Sequence, residues 1–463
     1  PEVFPMRRIE LVAALLVLTG CASCPGTQSR RPAPREIARM DVRQEPVCTR
    51  RPIETSLDTE PLTPIRREHP RIGRLRGKGS LSIGTPVRGF VVDGIELPLR
   101  GNHHKVMKEQ AGRGTNHAID DLVKAIQKAA GDVARRHSGS ILPVGNLSRG
   151  GGGQIRWSIS HRSGRDADFG FYLVDSGGRQ VFQESMVHID REGKASVAGV
   201  DARFDPARNW LLVKSLITNR KISVQWIFMA DHLKKRLLEH ARARREPAEL
   251  VALASDAIAQ PRGRSHDDHI HLRIYCPRDD LLEGCIDIGS DRPWYSPPGP
   301  ELDARYRELA RLSRSRDPGT RRDAVAALGH FGDRRAVGIA ARLLSDPAVE
   351  VVRAAAGAID WLGVGGVESS VAAAVMNPAT PDDVAMMLLR SLTPSLKMNQ
   401  KSPKVKKIVA RLQSCGRRLE FDNGVFKVTL DVGQELRAGG FQLPEVTAAP
   451  AEAGSRQTGG AHN

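Results

Sequence analysis

Two short polar stretches hold the side chains of this sequence best suited to chemistry. Ser160–Phe169 reads SHRSGRDADF, which sets His161 seven residues ahead of Asp168, with Gly164 and Asp166 between them. Ser265–Pro277 reads SHDDHIHLRIYCP and supplies His266, His269 and His271. Read as a strand, DADFGFYLV puts Asp166, Asp168, Gly170 and Tyr172 on one face and Ala167, Phe169, Phe171 and Leu173 on the other. The same test on HIHLRI sets His269, His271 and Arg273 against Ile270, Leu272 and Ile274. Each strand then has a face that can pack on a core and a face of ligand-type side chains. Laid side by side, the two would gather two histidines and two aspartates, with His161 joining from the preceding loop. Three nitrogen or oxygen ligands plus a water suit a catalytic zinc ion, which polarises a carbonyl and activates water near neutral pH. Each piece alone is ordinary, since His-x-His and Asp-x-Asp occur on many solvated strand faces. The combination carries the reading.

The flanking sequence shows what must position these strands. Regular structure begins near Ser80, where SLSIGTPVRGFVVDGIELP has the short apolar runs and glycine punctuation of strands and turns. AIDDLVKAIQKAAGDVARRH, Ala118 to His137, has helical spacing, and NWLLVKSLITN and MADHLKKRLLEHARAR predict two more helices. The mixture predicts an α+β domain over residues 80–300, built on an antiparallel sheet. From 301 to 413 the character changes to Ala, Leu and Arg at helical spacing. RRDAVAALGHFG and VRAAAGAIDWLG align at an offset of 31 residues, and Asp317-Pro318, Asp346-Pro347 and Asn377-Pro378 punctuate the helices. That period resembles HEAT-type repeats, so an all-α block is expected to follow and to pack on the domain before it. Residues 414–463 read as a short hairpin turning at Asp422-Asn423-Gly424, then a disordered Ala/Gly-rich tail.

At the other end, Met6-Arg7-Arg8 precedes an apolar run from Ile9 to Leu18 and then Leu18-Thr19-Gly20-Cys21. A basic stretch, a short apolar core and small residues describe a secretory signal over 1–21, and the ending resembles a lipobox in which Cys21 is lipidated. Residues 22–79, rich in Pro and Arg, read as a tether from the anchor. Ala22 after the cysteine directs the expectation to the outer membrane, facing the periplasm. Export also colours the cysteines: Cys276 and Cys285 could close a disulfide in an oxidising compartment, or stand as two free thiols. Lys and Arg number 70 against 53 Asp and Glu, a net charge of +17, which favours an anionic polymer or a membrane surface as partner. The same charge would suit nucleic acid, but an exported lipoprotein would rarely meet it, and aromatic residues, only 4% of the chain, leave few surfaces on which bases could stack.

His161-x-x-Gly164-x-Asp166-x-Asp168 followed by His266-Asp267-Asp268-His269-x-His271 resembles the penicillin-insensitive murein endopeptidases, part of the lysostaphin and D-Ala-D-Ala metallopeptidase group. SIGTPVRGFVVDGIELP, LPVGNLSRGGG and LRIYCP extend the resemblance over Ser80 to Pro298. It implies a Zn2+ enzyme that hydrolyses D-alanyl–diaminopimelyl cross-links in peptidoglycan, with His161, Asp168 and His271 as zinc ligands. His269 becomes the catalytic histidine, with His266 supporting it in the same cleft. Asp166 becomes a carboxylate that holds a ligand histidine from behind, or else a fold-stabilising hydrogen-bond acceptor. Ser158, where some members carry a further histidine, and Arg264-Ser265, in place of an aromatic-glycine pair, are departures that bear on cleft shape. A murein carboxypeptidase and a non-catalytic wall-binding scaffold are the alternatives, and the repeats would dock a protein partner or position the enzyme.

Three further features carry lesser expectations. Gly150–Gly153 lacks the Gly-Lys-Ser/Thr ending of a phosphate loop and reads as a flexible rim over the cleft. His103, His104 and His117 lie in polar turns, with His117 the nearer to a substrate role. Ser160 and Ser163 have no nucleophile-elbow context.

Overall fold

The computed structural model describes residues 79–437, save 264, 290 and 423–426. Cys21 and the lipobox, the tether as far as residue 78, the Asn423-Gly424 turn and the tail lie outside the described residues. Among the described residues, no helix is long and apolar enough to cross a membrane.

The N-terminal domain opens on a hairpin of β1 (Leu81–Thr85) and β2 (Arg88–Val92). Its centre is a six-stranded sheet of β3 (His104–Val106), β4 (Leu142–Val144), β5 (Asp166–Phe169), β6 (Val224–Phe228), β7 (Ile258–Ala259) and β8 (Ile270–Ile274). The strands lie in the order β7-β6-β8-β5-β4-β3. The four central strands pair antiparallel, as expected, while β7 and β3 join the edges in parallel. Helices α1 (Asp120–Arg136), α2 (Pro206–Ile217) and α3 (Asp231–Ala243) match the three periodic segments, and α4 (Ala248–Ala257) follows them. The apolar stripe of α1, Leu122, Ile126, Ala129 and Val133, is fully buried, and the Ser80 hydroxyl accepts from Asp120 N (2.7 Å) at its start. Helix α2 is capped by Asp205, whose carboxylate accepts from Ala207 N (2.9 Å), with Pro206 in the first helical position.

DADFGFYLV is not one strand. β5 ends at Phe169, and Leu173–Val174 belongs to a separate four-stranded sheet with Gln180–Val181, Lys194–Val197 and Val200–Phe204. Between them the backbone is served by side chains from afar: Gln183 Nε2 donates to Phe171 O (3.0 Å), and Tyr172 N donates to Asn209 Oδ1 (3.1 Å). Tyr172 therefore does not continue the aspartate face.

The repeat block comprises α5 (Gly299–Leu312), α6 (Pro318–Phe331), α7 (Val337–Leu343), α8 (Val349–Leu362), α9 (Glu368–Met376), α10 (Asp382–Met398) and α11 (Pro403–Gln413). The Asp-Pro punctuation has a physical origin: Asp317 caps α6 by accepting from Thr320 N (2.7 Å), with Pro318 following it in the first turn. Gly329 lets α6 and α8 approach closely, since a Cβ there would lie 2.8 Å from Ala358. After the block, Arg418–Asp422 pairs antiparallel with Lys427–Asp431, which forms the expected hairpin.

A disulfide joins Cys276 to Cys285. The loop it closes carries the short helix Arg278–Glu283, whose buried Glu283 pairs with Arg305 of α5 (3.0 Å) and ties the two domains. In the same helix Asp280 accepts from Ser82 N of β1 (2.7 Å), and burial pushes its carboxyl up to about 7. Between the ordinary carboxylate value and about pH 7 the unfolded chain sheds a proton that the folded chain keeps. Stability from this group thus falls as pH rises through that window. Asp280→Asn keeps an acceptor for Ser82 N, so thermal melts should show Tm raised by about 2–4 °C at pH 8 and little changed at pH 4.

Candidate metal centre and cleft

The two polar stretches meet through one strand pairing. β8 runs antiparallel to β5, with His271 opposite Asp168 and Arg273 opposite Asp166. His161 arrives from the loop before β5 with φ +64°, a backbone region that histidine enters more readily than most residues. Gly164 shapes that loop: its φ is +71°, and a Cβ would come 2.8 Å from Val91 Cγ2. The result is a buried cluster. Asp168 Oδ1 lies 3.2 Å from His161 Nε2 and 3.0 Å from His271 Nδ1.

Among the described residues, both ring nitrogens of His161 and Asp168 Oδ1 are buried without a hydrogen-bond partner. Their close approach therefore does not hold them by ordinary hydrogen bonds, and leaving buried polar atoms unpaired costs about 1–3 kcal/mol each. Two imidazole nitrogens and a carboxylate oxygen within 4.8 Å of one another fit zinc by donor type and count. The charges agree. Burial works against ionising Asp168 and Asp166, yet the neighbouring His161 and Arg273 respectively hold both well below the ordinary carboxylate range. A second grouping, His266, His269 and His271, also comes within ligand reach and shares His271 with the first. It is the more exposed of the two.

Asp166 is fully buried beneath the cluster. Oδ2 accepts from His161 N (3.0 Å), while Oδ1 accepts from Arg273 Nε (2.6 Å) and lies 3.3 Å from His271 Nε2. With Nε2–H donating to Asp166, the lone pair of Nδ1 points at Asp168. One carboxylate thus sets the backbone of one histidine and the ring of another.

Four residues to which the sequence reading gave no role complete the arrangement. Asp268 Oδ1 sits 2.6 Å from His269 Nδ1, and this leaves Nε2 turned towards Asp168 at 3.8 Å. Burial lowers the His269 pKa, but Asp268 outweighs it and the net shift is upward. Asn146 Nδ2 donates to Asp168 Oδ2 (3.3 Å), which turns Oδ1 to the histidines. Arg273 neutralises Asp166. Arg165, wholly buried, donates to Asp287 (2.7 Å), Ser82 Oγ (3.0 Å) and the carbonyls of Ile274 and Ile286 (3.2 and 2.9 Å). Asp268 and Arg273 stand inside motifs already singled out, and Asn146 inside LPVGNLSRGGG. Their partners could be known only from the fold.

His266 has φ +45° and lies on the cleft wall, its ring 4.9 Å from that of His269. Burial, then His269 and His271, push its pKa down to about 4, so it is neutral at neutral pH. The cleft above the cluster has a volume of about 790 Å³, with Arg113, Trp157, Ile159, Met186, Phe228 and Arg262 on its sides. Trp157 and Ile159 are 44% and 70% exposed, an apolar rim open to a ligand.

Three polar features stand elsewhere. The glycines at 150–153 do not line the cleft. They are wedged between β2 and the His161 loop, where Gly151 O accepts from Val91 N (3.1 Å) and Gly153 N donates to Arg162 O (2.9 Å). Glycine is needed there for close packing, because a Cβ on Gly152 would strike Arg162 O. His117 packs its ring on Gly150 and is absent from the cleft lining, while His104 Nε2 bonds Pro98 O (3.0 Å) at the sheet edge.

The N-terminal domain thus carries an open cleft with a candidate metal cluster at its floor, and a helical repeat block follows it. Residues 82–288 match the family model for penicillin-insensitive murein endopeptidase, and residues 309–392 match that for HEAT repeats. Curated relatives named penicillin-insensitive murein endopeptidase, from Shigella boydii serotype 18 and Escherichia coli strain K12 / DH10B, are 25% identical over 234 residues. The alignment covers 47% of this chain and 78% of each relative. Both resemblances drawn from the sequence are therefore borne out.

Proposed function

We propose that this protein is a zinc-dependent murein endopeptidase that hydrolyses D-alanyl–diaminopimelyl cross-links in peptidoglycan. The observation that supports it most is the β5–β8 register, which sets His271 against Asp168 beneath an open cleft in a domain of that family. His161 Nε2, Asp168 Oδ1 and His271 Nδ1 would hold the metal, with Asp166 and Asn146 fixing their orientation. Bound zinc would supply Lewis acidity for the scissile carbonyl and a water activated near neutral pH. His269 Nε2 faces that point, and Asp268 steadies its other nitrogen, so His269 can take a proton and return it to the leaving amine. His266, kept neutral, lines the same wall and serves as hydrogen-bond partner. No side chain forms a covalent acyl intermediate, so β-lactams leave the enzyme active.

The net charge of +17 and the cationic cleft residues Arg113 and Arg262 suit an anionic wall polymer. In this reading the chain is exported, lipidated at Cys21 and held in the periplasm at the outer membrane. The repeat block positions the domain or docks a protein partner.

Incubation with defined muropeptides tests the reading. Conversion of cross-linked dimers to monomers supports an endopeptidase; trimming of uncross-linked stem peptides alone would make it a carboxypeptidase; zinc binding without any turnover would leave a wall-binding scaffold. Asp268→Ala should lower kcat about 100-fold with zinc content unchanged, as steady-state rates and metal analysis would show.

A further inference from the structure

The β1–β2 hairpin is held between the candidate metal cluster and the repeat block. On one side its turn supports the His161 loop. Arg162 N donates to Pro86 O (3.1 Å), a Cβ on Gly89 would come 2.8 Å from Ser163 Cβ, and Val87 itself lines the cleft. The other side is covered by the repeat block. The Phe90 ring lies 5.2 Å from that of His330 in α6 and 6.1 Å from that of Trp361 in α8. A Cβ on Gly84 would come 2.7 Å from Trp361 Cζ2. Arg88 stacks its guanidinium 5.0 Å over Trp361 and donates from Nη2 to Asp360 O (2.9 Å).

Bonds to Asp280, Gly284 and Arg165 hold the backbone and Ser82 of the hairpin, while its outer apolar face is covered by the repeat block. Leu81, Ile83, Phe90 and Val92 form a small cluster separate from the main core of the domain, with Trp361 as the partly buried residue packed on it. A two-stranded hairpin is marginal by itself, and its stability depends on what its apolar face meets. The family match ends at residue 288, so Trp361 and His330, which close this cluster together, both lie outside the matched segment.

We propose that Trp361 is a positioning residue for the candidate metal site. By clamping Gly84, Arg88 and Phe90 it fixes the hairpin turn, and the turn fixes Arg162 and with it the strained backbone of His161. The repeat block is then a working part of the peptidase unit as well as a docking module. The proposal rests on the reading of His161 as a metal ligand, and its test has a readout that does not need the metal.

The experiment compares Trp361→Ala, Trp361→Phe and Arg88→Ala with the wild-type full chain. A control, Arg417→Ala, breaks bonds to Val375 O (2.9 Å) and Asp382 (2.7 Å) at the far end of the block. Hydrogen exchange on zinc-free protein should be about tenfold faster over residues 85–92 and 160–163 in Trp361→Ala, less so in Arg88→Ala, and near wild type in Trp361→Phe. Zinc Kd should weaken about 10–100-fold in Trp361→Ala, and kcat on cross-linked muropeptides should fall while KM changes little. Arg417→Ala should leave the exchange of those two segments as in the wild type. Wild-type exchange and zinc affinity in both Trp361→Ala and Arg88→Ala would overturn the proposal, as would the same exchange pattern in Arg417→Ala. If the wild type cuts no muropeptide, the functional reading fails, and the exchange pattern still decides this one.

Discussion

His271→Ala is expected to abolish stoichiometric zinc binding and to lower cleavage of cross-linked muropeptides by about 10³-fold or more, with little change in the Tm of the metal-free protein. The expectation follows from how much converges on this ring. Nδ1 lies 3.0 Å from Asp168 Oδ1 and Nε2 lies 3.3 Å from Asp166 Oδ1, so the substitution removes a ligand atom and the contact that orders it. It also sets free the grouping with His266 and His269, which shares His271. Two remaining ligands cannot hold zinc tightly, and without the metal both carbonyl polarisation and water activation are lost. His271→Gln, which keeps some bulk but not an imidazole, should behave alike. Zinc analysis on the folded variant and a dimer-digestion assay read both effects.

Arg165→Met is expected to destabilise the protein by about 3–5 kcal/mol, the usual cost of removing one partner of a buried ion pair. The guanidinium spans β1, the end of β8 and the segment after the disulfide through its bonds to Ser82, Ile274, Ile286 and Asp287. Its loss leaves three carbonyls, those of Gly84, Ile274 and Ile286, without this donor and the Asp287 carboxylate without a counter-charge. Asp287 retains Cys276 N (2.9 Å) and the Tyr295 hydroxyl (2.9 Å), which supports the lower end of the range. Adding Asp287→Asn should recover part of the loss, because the stranded group is then neutral. Urea unfolding of the single and double variants measures the difference.

Much of this arrangement is legible in the chain itself, because strand alternation and helical periodicity are local. Alternation in DADF and HIHLRI places the aspartates and histidines on strand faces, and α1 shows in the spacing of its buried residues. What stays hidden depends on distant partners. The break after Phe169 is set by Gln183 and Asn209, which satisfy the backbone there from other elements. The run of glycines reads as a flexible rim in isolation, and only the Arg162 carbonyl pressed against it reveals a packing role. Asp268 and Asn146 look like ordinary polar residues until His269 and Asp168 are placed beside them. Likewise the repeats are visible by their period, but where they dock depends on the face of a hairpin whose Arg88 lies 272 residues before its partner Asp360.

Whether hydrolysis depends on zinc is decided by zinc titration of the metal-stripped full chain, with digestion of cross-linked muropeptide dimers followed in the same samples. The expected result is no cleavage without metal, one zinc bound per chain, and cleavage to monomers returning in proportion to bound zinc. Undiminished cleavage by the metal-free protein would contradict it, as would zinc binding that survives His271→Ala unchanged.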